Sequence, residues 1–115
     1  MIRKASEMKS TFREQMYGGD KTVELLHIVE KEELNHARLF SKVTIPVGGS
    51  VGTHPHHNET EYYYILTGTG TVDEGSGEIA VGIGDVVVTG DSEQHNIRNT
   101  GEIPLEFLAV IILDD

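Results

Sequence analysis

The chain reads as an all-β domain, a closed barrel or sandwich, and three features lead to that class. Glycines recur at short intervals from Gly48 to Gly101 between apolar stretches, the punctuation of short strands joined by tight turns. Apolar and polar residues alternate with a period of two from Arg38 to Ile45. A final run, Leu105 to Leu113, is apolar on both parities and so belongs where both faces are covered. With 115 residues, the chain can form one domain with its own core but has no room for a separate ligand-binding domain.

The elements follow in order. Residues 1–36 are read as an N-terminal arm and first strand packed on a barrel made by residues 37–115, one structural domain in all. Met1 to Gly19 is polar, and Gly18-Gly19-Asp20 breaks the chain before Thr22 to Val29, the first expected strand. Residues 30–35 fit a single helical turn, marginal by itself. Within Arg38 to Ile45, Leu39, Ser41, Val43 and Ile45 share the face assigned to the core, and Arg38, Phe40, Lys42 and Thr44 share the other. Pro46 to Gly52 reads as a loop, followed by a strand end carrying His54 and His56. Glu61 to Leu66, Gly77 to Val81, Asp85 to Thr89, His95 to Asn99 and Leu105 to Leu113 complete the strands, with a turn at Gly90-Asp91-Ser92. In the last strand Phe107, Ala109 and Ile111 alternate with Leu108, Val110 and Ile112. One set fills the barrel. The other needs the N-terminal arm or a second subunit over it, because a large bare apolar patch is unusual on a monomer, and a homodimer is the expectation.

Composition excludes several functions. The formal net charge of -10 repels phosphate backbones and anionic membranes, so neither nucleic acid nor a membrane is an expected partner. All basic residues but Arg98 lie at or before Lys42, which leaves the later half little with which to grip a phosphate. Cysteine is absent, and with it disulfides, thiolate ligands and thiol nucleophiles. The N-terminus has no apolar leader and the apolar tail is too short to span a bilayer, so a soluble, cytoplasmic protein is expected.

Four residues carry the chemistry. His54 and His56 stand two apart, so an extended strand points both imidazoles to one side, and Pro55 stiffens the spacing. The interval to Glu61 is odd, which requires the chain to turn through Asn58 before Glu61 returns with Tyr63 and Ile65 beside it. His95, with Ile97 and Asn99 on its face, closes the set. Three imidazoles and one carboxylate suit a divalent transition ion. His27 and His36 are read as surface or hydrogen-bonded histidines, and His57, out of phase, as facing solvent or the rim.

Gly48, five residues, His54-Pro55-His56, four residues, Glu61, six residues and Gly68 resemble the first motif of the cupin family. Gly84, five residues, Gly90-Asp91-Ser92, two residues, His95, three residues and Asn99 resemble the second, with Gly90 where the motif has proline and Ser92 where it has glycine. The resemblance implies a jelly-roll β-barrel, or double-stranded β-helix, with His54, His56, Glu61 and His95 as metal ligands. Ala37 to Val43, Glu61 to Leu66, Asn99-Thr100-Gly101 and Leu105-Glu106-Phe107 look like small bacterial cupins often described as oxalate-decarboxylase-like. That likeness implies manganese, with iron, zinc, nickel or cobalt as alternatives, and a small, anionic carboxylate as ligand. The larger oxalate-degrading cupins have an arginine three residues before the first motif histidine, and Val51 stands there in this chain.

Four protein ligands on a six-coordinate ion leave two positions for water, dioxygen or a chelating ligand. Glu59 is the expected catalytic proton donor, with Glu93 and Asp91 behind it. Tyr63, Ile65, Ile97 and Asn99 are the expected pocket wall, and Asn99 and Gln94 are placed to orient an imidazole or the turn. The function that follows is a metal-binding cupin acting on a small carboxylate. An iron-dependent dioxygenase and a non-catalytic metal and ligand binder are the alternatives.

Overall fold

The computed structural model describes residues 1–115, folded as ten strands in two antiparallel sheets. The strands are β1 (Lys9–Glu14), β2 (Thr22–Val29), β3 (Ala37–Ile45), β4 (Ser50–Pro55) and β5 (Glu59–Thr67), followed by β6 (Gly70–Asp73), β7 (Glu78–Val81), β8 (Val86–Thr89), β9 (Gln94–Asn99) and β10 (Leu105–Leu113). One sheet has the order β1-β2-β3-β10-β5-β8 and the other β4-β9-β6-β7. The two pack face to face as a jelly roll.

Alternation decides what lies between the sheets. On β10, Leu105, Phe107, Ala109 and Ile111 are buried; on β3, Ser41, Val43 and Ile45; on β5, Tyr63 and Ile65. Val51, Val72, Val87 and Ile97 meet them from β4, β6, β8 and β9. The inward set expected on β3 is the observed one. The turn expected at 30–35 is a short 3-10 turn, Lys31–Glu33, in which the Glu33 carboxylate accepts a hydrogen bond from the backbone N–H of Glu30 at 3.0 Å.

Two strands lie outside the expected set. β1 runs through the polar arm, with only Ser10 less than fully exposed. It has no apolar alternation to announce it, and backbone pairing with β2 from Lys9↔His27 to Glu14↔Thr22 defines it as an edge strand. β6 is four residues long, with Val72 its one buried apolar side chain. β4 also begins at Ser50, inside the expected loop.

β1 and β2 extend the sheet beyond β3 and leave the outer face of β10 uncovered. That face joins those of β5 and β8 in one surface. Val110 lies opposite Tyr62, Leu108 opposite Tyr64, and these two tyrosines lie opposite Val88 and Val86. No helix is long and apolar enough to cross a membrane.

Candidate metal centre

β4 and β9 set two imidazoles side by side, with His54 the cross-strand partner of His95. The ladder slips between Val51 and His54, where three steps on β4 match two on β9. This bulge at Gly52 and Thr53 lets Val51 and His54, of opposite parity, both face inward. Beyond Pro55 the backbone N–H of His56 donates to the Glu93 carbonyl at 3.0 Å, and the N–H of Ser92 donates to the His56 carbonyl at 2.8 Å. His56 is thereby tied to the turn before β9. The chain then crosses to the other sheet through Asn58, at φ 59°, so the turn required by the odd His56–Glu61 spacing is present. Glu61 enters from β5, opposite Thr89 of β8. Ser92, at the motif's second glycine position, takes a left-handed φ of 65°.

All four residues are buried, and each offers one ligand atom within 4.8 Å of the others. His95 Nε2 lies 3.1 Å from Nε2 of His56 and 3.0 Å from Nε2 of His54. Glu61 Oε1 lies 2.9 Å from His56 Nε2, 3.0 Å from His95 Nε2 and 3.8 Å from His54 Nε2.

The far side of each ring is occupied. His54 Nδ1 lies 2.8 Å from the Gly52 carbonyl, His56 Nδ1 2.5 Å from Glu59 Oε2, and His95 Nδ1 2.6 Å from Thr89 Oγ1. A carbonyl and a carboxylate only accept, so the Nδ1 atoms of His54 and His56 carry the hydrogen in the neutral rings and their Nε2 atoms present lone pairs inward. With Thr89 accepting at Nδ1, His95 takes the same form. Glu61 Oε1 is then a buried oxygen with no hydrogen-bond partner, facing three lone pairs. Four acceptors gathered out of water with no proton among them are costly unless a cation sits between them. The spacing fits one. Two ligands at right angles, each about 2.1 Å from an ion, lie about 3 Å apart.

Electrostatics favour the same occupant. Burial pushes the Glu61 carboxyl upward, but wherever a proton in place of an ion sits on the inward nitrogens of His54, His56 and His95, hydrogen bonding from them outweighs burial and holds the group well below the usual carboxylate range. Glu61 is therefore charged at neutral pH. In the ion-free centre the Glu61 contact, joined by Glu59, raises His56, whereas burial lowers His95 despite Glu61. Burial raises the Tyr63 phenol well above its ordinary value, so it stays protonated, 3.3 Å from His95 Nε2.

The other expected site residues fall in different places. Glu59 does not present a free acid to the cavity: Oε1 accepts from Arg38 Nε at 2.6 Å, and Oε2 accepts from Arg38 Nη2 at 2.7 Å and from His56. The Arg38 guanidinium lowers its pKa, so Glu59 is a charged acceptor behind His56. Asp91 accepts the N–H of Asn58, and Glu93 accepts the N–H of Gly90; both are exposed turn residues. Tyr63 lines the cavity beside the centre, but Ile65, Ile97 and Asn99 do not. They face inward as expected, yet lie farther along β5 and β9, below the floor that Tyr63 and Phe107 make with ring centroids 4.4 Å apart. Asn99 ties a turn together, donating from Nδ2 to the Ile45 and Ile103 carbonyls and accepting from the N–H of Gly101. Gln94 is exposed, and Thr89 holds the His95 ring instead.

Three residues complete the centre without having been expected there. Thr89 ends a strand at the parity that faces Glu61, so alternation could have found it. Arg38 had been assigned to the outer face, but against β10 it is the extra residue of a bulge, between Leu39 opposite Ile111 and Ala37 opposite Ile112, and its side chain reaches Glu59. Tyr17, on the turn Met16–Gly18, stacks on His54 with ring centroids 4.2 Å apart and planes 13° apart. No periodicity marks it.

The model of the cupin domain matches residues 41–111. This chain belongs to the cupin family. Among curated proteins, this cupin is 44% identical over 114 residues to the oxalate-binding protein of Thermotoga maritima, covering 98% of this chain and 94% of that one. A Thermotoga maritima crystal structure described as a predicted oxalate decarboxylase superposes with a TM-score of 0.92 at 44% identity, covering 98% of this chain and 99% of that one. The cupin domain of Schizosaccharomyces pombe Cnp3 shares the fold at 14% identity, with a TM-score of 0.73 over 90% of this chain and 69% of that one.

Proposed function

We propose that this cupin holds a divalent transition-metal ion, manganese foremost, on His54, His56, Glu61 and His95, and uses it to bind a small carboxylate. The observation that carries this reading is the convergence of three inward lone pairs on the unpartnered Glu61 oxygen. The donor set equally accommodates iron, zinc, nickel or cobalt. A bound ion supplies Lewis acidity and a local positive charge that Glu61 only half offsets. The likeness to a protein named for binding oxalate supports a small anionic ligand.

The chain's own part is orientation and shielding. Glu59, Thr89 and the Gly52 carbonyl fix the three rings, and Tyr63 keeps a hydroxyl proton to donate to a ligand oxygen. A ligand-binding role is favoured over decarboxylation because Glu59 is locked between Arg38 and His56 and no other free acid lines the cavity. An iron-dependent dioxygenase is the alternative enzyme. Metal analysis of protein purified without chelator should show about one ion per chain, and titration of oxalate into the manganese-loaded protein should give saturable binding lost on chelation. No ion and no binding would overturn the reading, while carbon dioxide release or oxygen uptake would move the protein to the enzymes.

We also propose a homodimer through the outer face of β10, β5 and β8. Tyr64 is 49% exposed, Val86 61% and Val88 49%, an apolar surface of the kind a second copy covers. Light scattering should give twice the chain mass, and Val88→Lys should halve it; a monomeric wild type at micromolar concentration would rule the dimer out.

A further inference from the structure

We propose that the ligand this centre selects is a monoanionic chelating acid with a short apolar tail, such as a 2-oxo acid, in preference to oxalate. The inference rests on the metal-binding reading above and deepens it. Its basis is the cavity that opens beside His54, His56 and Glu61, which has a volume of ≈ 40 Å³. Most of the residues around it are hydrophobic: Met16 from the turn before β2, Leu25 from β2, Leu39 and Val43 from β3, Val51 from β4 and Phe107 from β10. No lysine or arginine lines it. The Arg38 guanidinium, behind His56, is held by both oxygens of Glu59.

Charge and hydrogen bonding both weigh against a dianion here. A divalent ion and the Glu61 carboxylate leave a net charge of one, which a single carboxylate neutralises and oxalate overshoots. Chelated through one oxygen of each carboxyl group, oxalate keeps two further oxygens that must point away from the ion. Against this wall those oxygens lose water, and the hydroxyls on it are those of Tyr63 and of Tyr17, a residue that is 52% exposed. A 2-oxo acid chelates through one carboxylate oxygen and its keto oxygen, leaves one free carboxylate oxygen for Tyr63, and directs an alkyl tail at Leu25, Leu39 and Val43. The cavity is small, so only a short tail fits beside the chelating head.

Calorimetric titration of manganese-loaded protein with oxalate, pyruvate, 2-oxobutyrate and 2-oxovalerate tests this, with metal content measured on the same sample. Along the oxo-acid series Kd should fall about fourfold per added methylene, the factor equivalent to ~0.8 kcal/mol per buried group, and the longest member should bind more tightly than oxalate. Leu39→Asn should weaken 2-oxovalerate at least tenfold while changing pyruvate much less. A full complement of metal with oxalate the tightest ligand, or with affinity flat along the series, overturns the tail inference and leaves the metal reading standing. Protein that takes up no metal overturns both.

Discussion

Glu59 Oε2 sits 2.5 Å from Nδ1 of His56, on the side of the ring away from Glu61. Because Arg38 grips the same carboxylate from behind with two hydrogen bonds, Glu59 cannot follow the ring, and His56 cannot turn without losing its contact to Glu59. Glu59 therefore acts through His56.

The corresponding prediction concerns metal affinity. Glu59→Ala should weaken it about 10- to 100-fold, as removal of such supporting groups generally does. Glu59→Gln keeps an acceptor for the Nδ1–H and should lose less, and Arg38→Ala should fall between them. Competition against a chromophoric chelator measures all three, and wild-type affinity in Glu59→Ala would remove Glu59 from this role.

Thr89 holds His95 in the same way from a fully buried position. Thr89→Val preserves shape but leaves the buried imidazole Nδ1 without its partner. The metal-free variant should lose about 1–3 kcal/mol, the cost of an unsatisfied buried polar group. Urea unfolding in chelator would register this as a lower midpoint with an unchanged slope. Unaltered stability would mean that His95 finds another partner.

Most of the barrel and the gathering of His54, His56, Glu61 and His95 were legible because both rest on alternation and spacing. Two-residue periodicity placed Val43 and Tyr63 inside, and the separations among His54, His56 and Glu61 demanded the turn at Asn58. Bulges defeat that logic, since one extra residue reverses parity without a mark in composition. Arg38 was assigned outward for this reason. Depth along the barrel was equally hidden: alternation gives the face but not the distance from the mouth, so Ile65 and Ile97 were placed in the pocket although they lie beneath it. β1 and the Tyr17 turn were hidden for a third reason. Backbone pairing and a close approach of main chains hold them, and polar side chains do not advertise either.

That close approach yields a third prediction. Gly52 lies so near the backbone of residue 17 that a Cβ would collide with the Tyr17 carbonyl oxygen. Gly52→Ala must therefore displace the Met16–Gly18 turn, separate Tyr17 from His54 and open the cavity. It should lower stability by about 1–3 kcal/mol, in the range of overpacking, and make the chain around Tyr17 more susceptible to limited proteolysis. An unchanged cleavage pattern would show that β4 moves instead.

The last prediction sets the metal against the proton. Ligation needs proton-free Nε2 atoms, and in the ion-free centre the Glu61 contact, with Glu59, raises the pKa of His56, so a proton is the strongest competitor there. A raised histidine contributes stability to the metal-free fold below the unfolded value of about 6.5 and loses it as pH climbs through the folded value. Glu61 has the opposite sign: its lowered pKa contributes stability above about 4.3, which is lost only as pH falls far into acid. The metal-free protein therefore keeps the His56–Glu61 pair near pH 5.5, while metal must displace protons to bind. The difference in melting temperature between manganese-loaded and chelator-treated protein should be largest near pH 8 and should nearly vanish by about pH 5.5. Paired thermal melts across that range measure it, and a constant difference would mean that the imidazoles do not hold the ion.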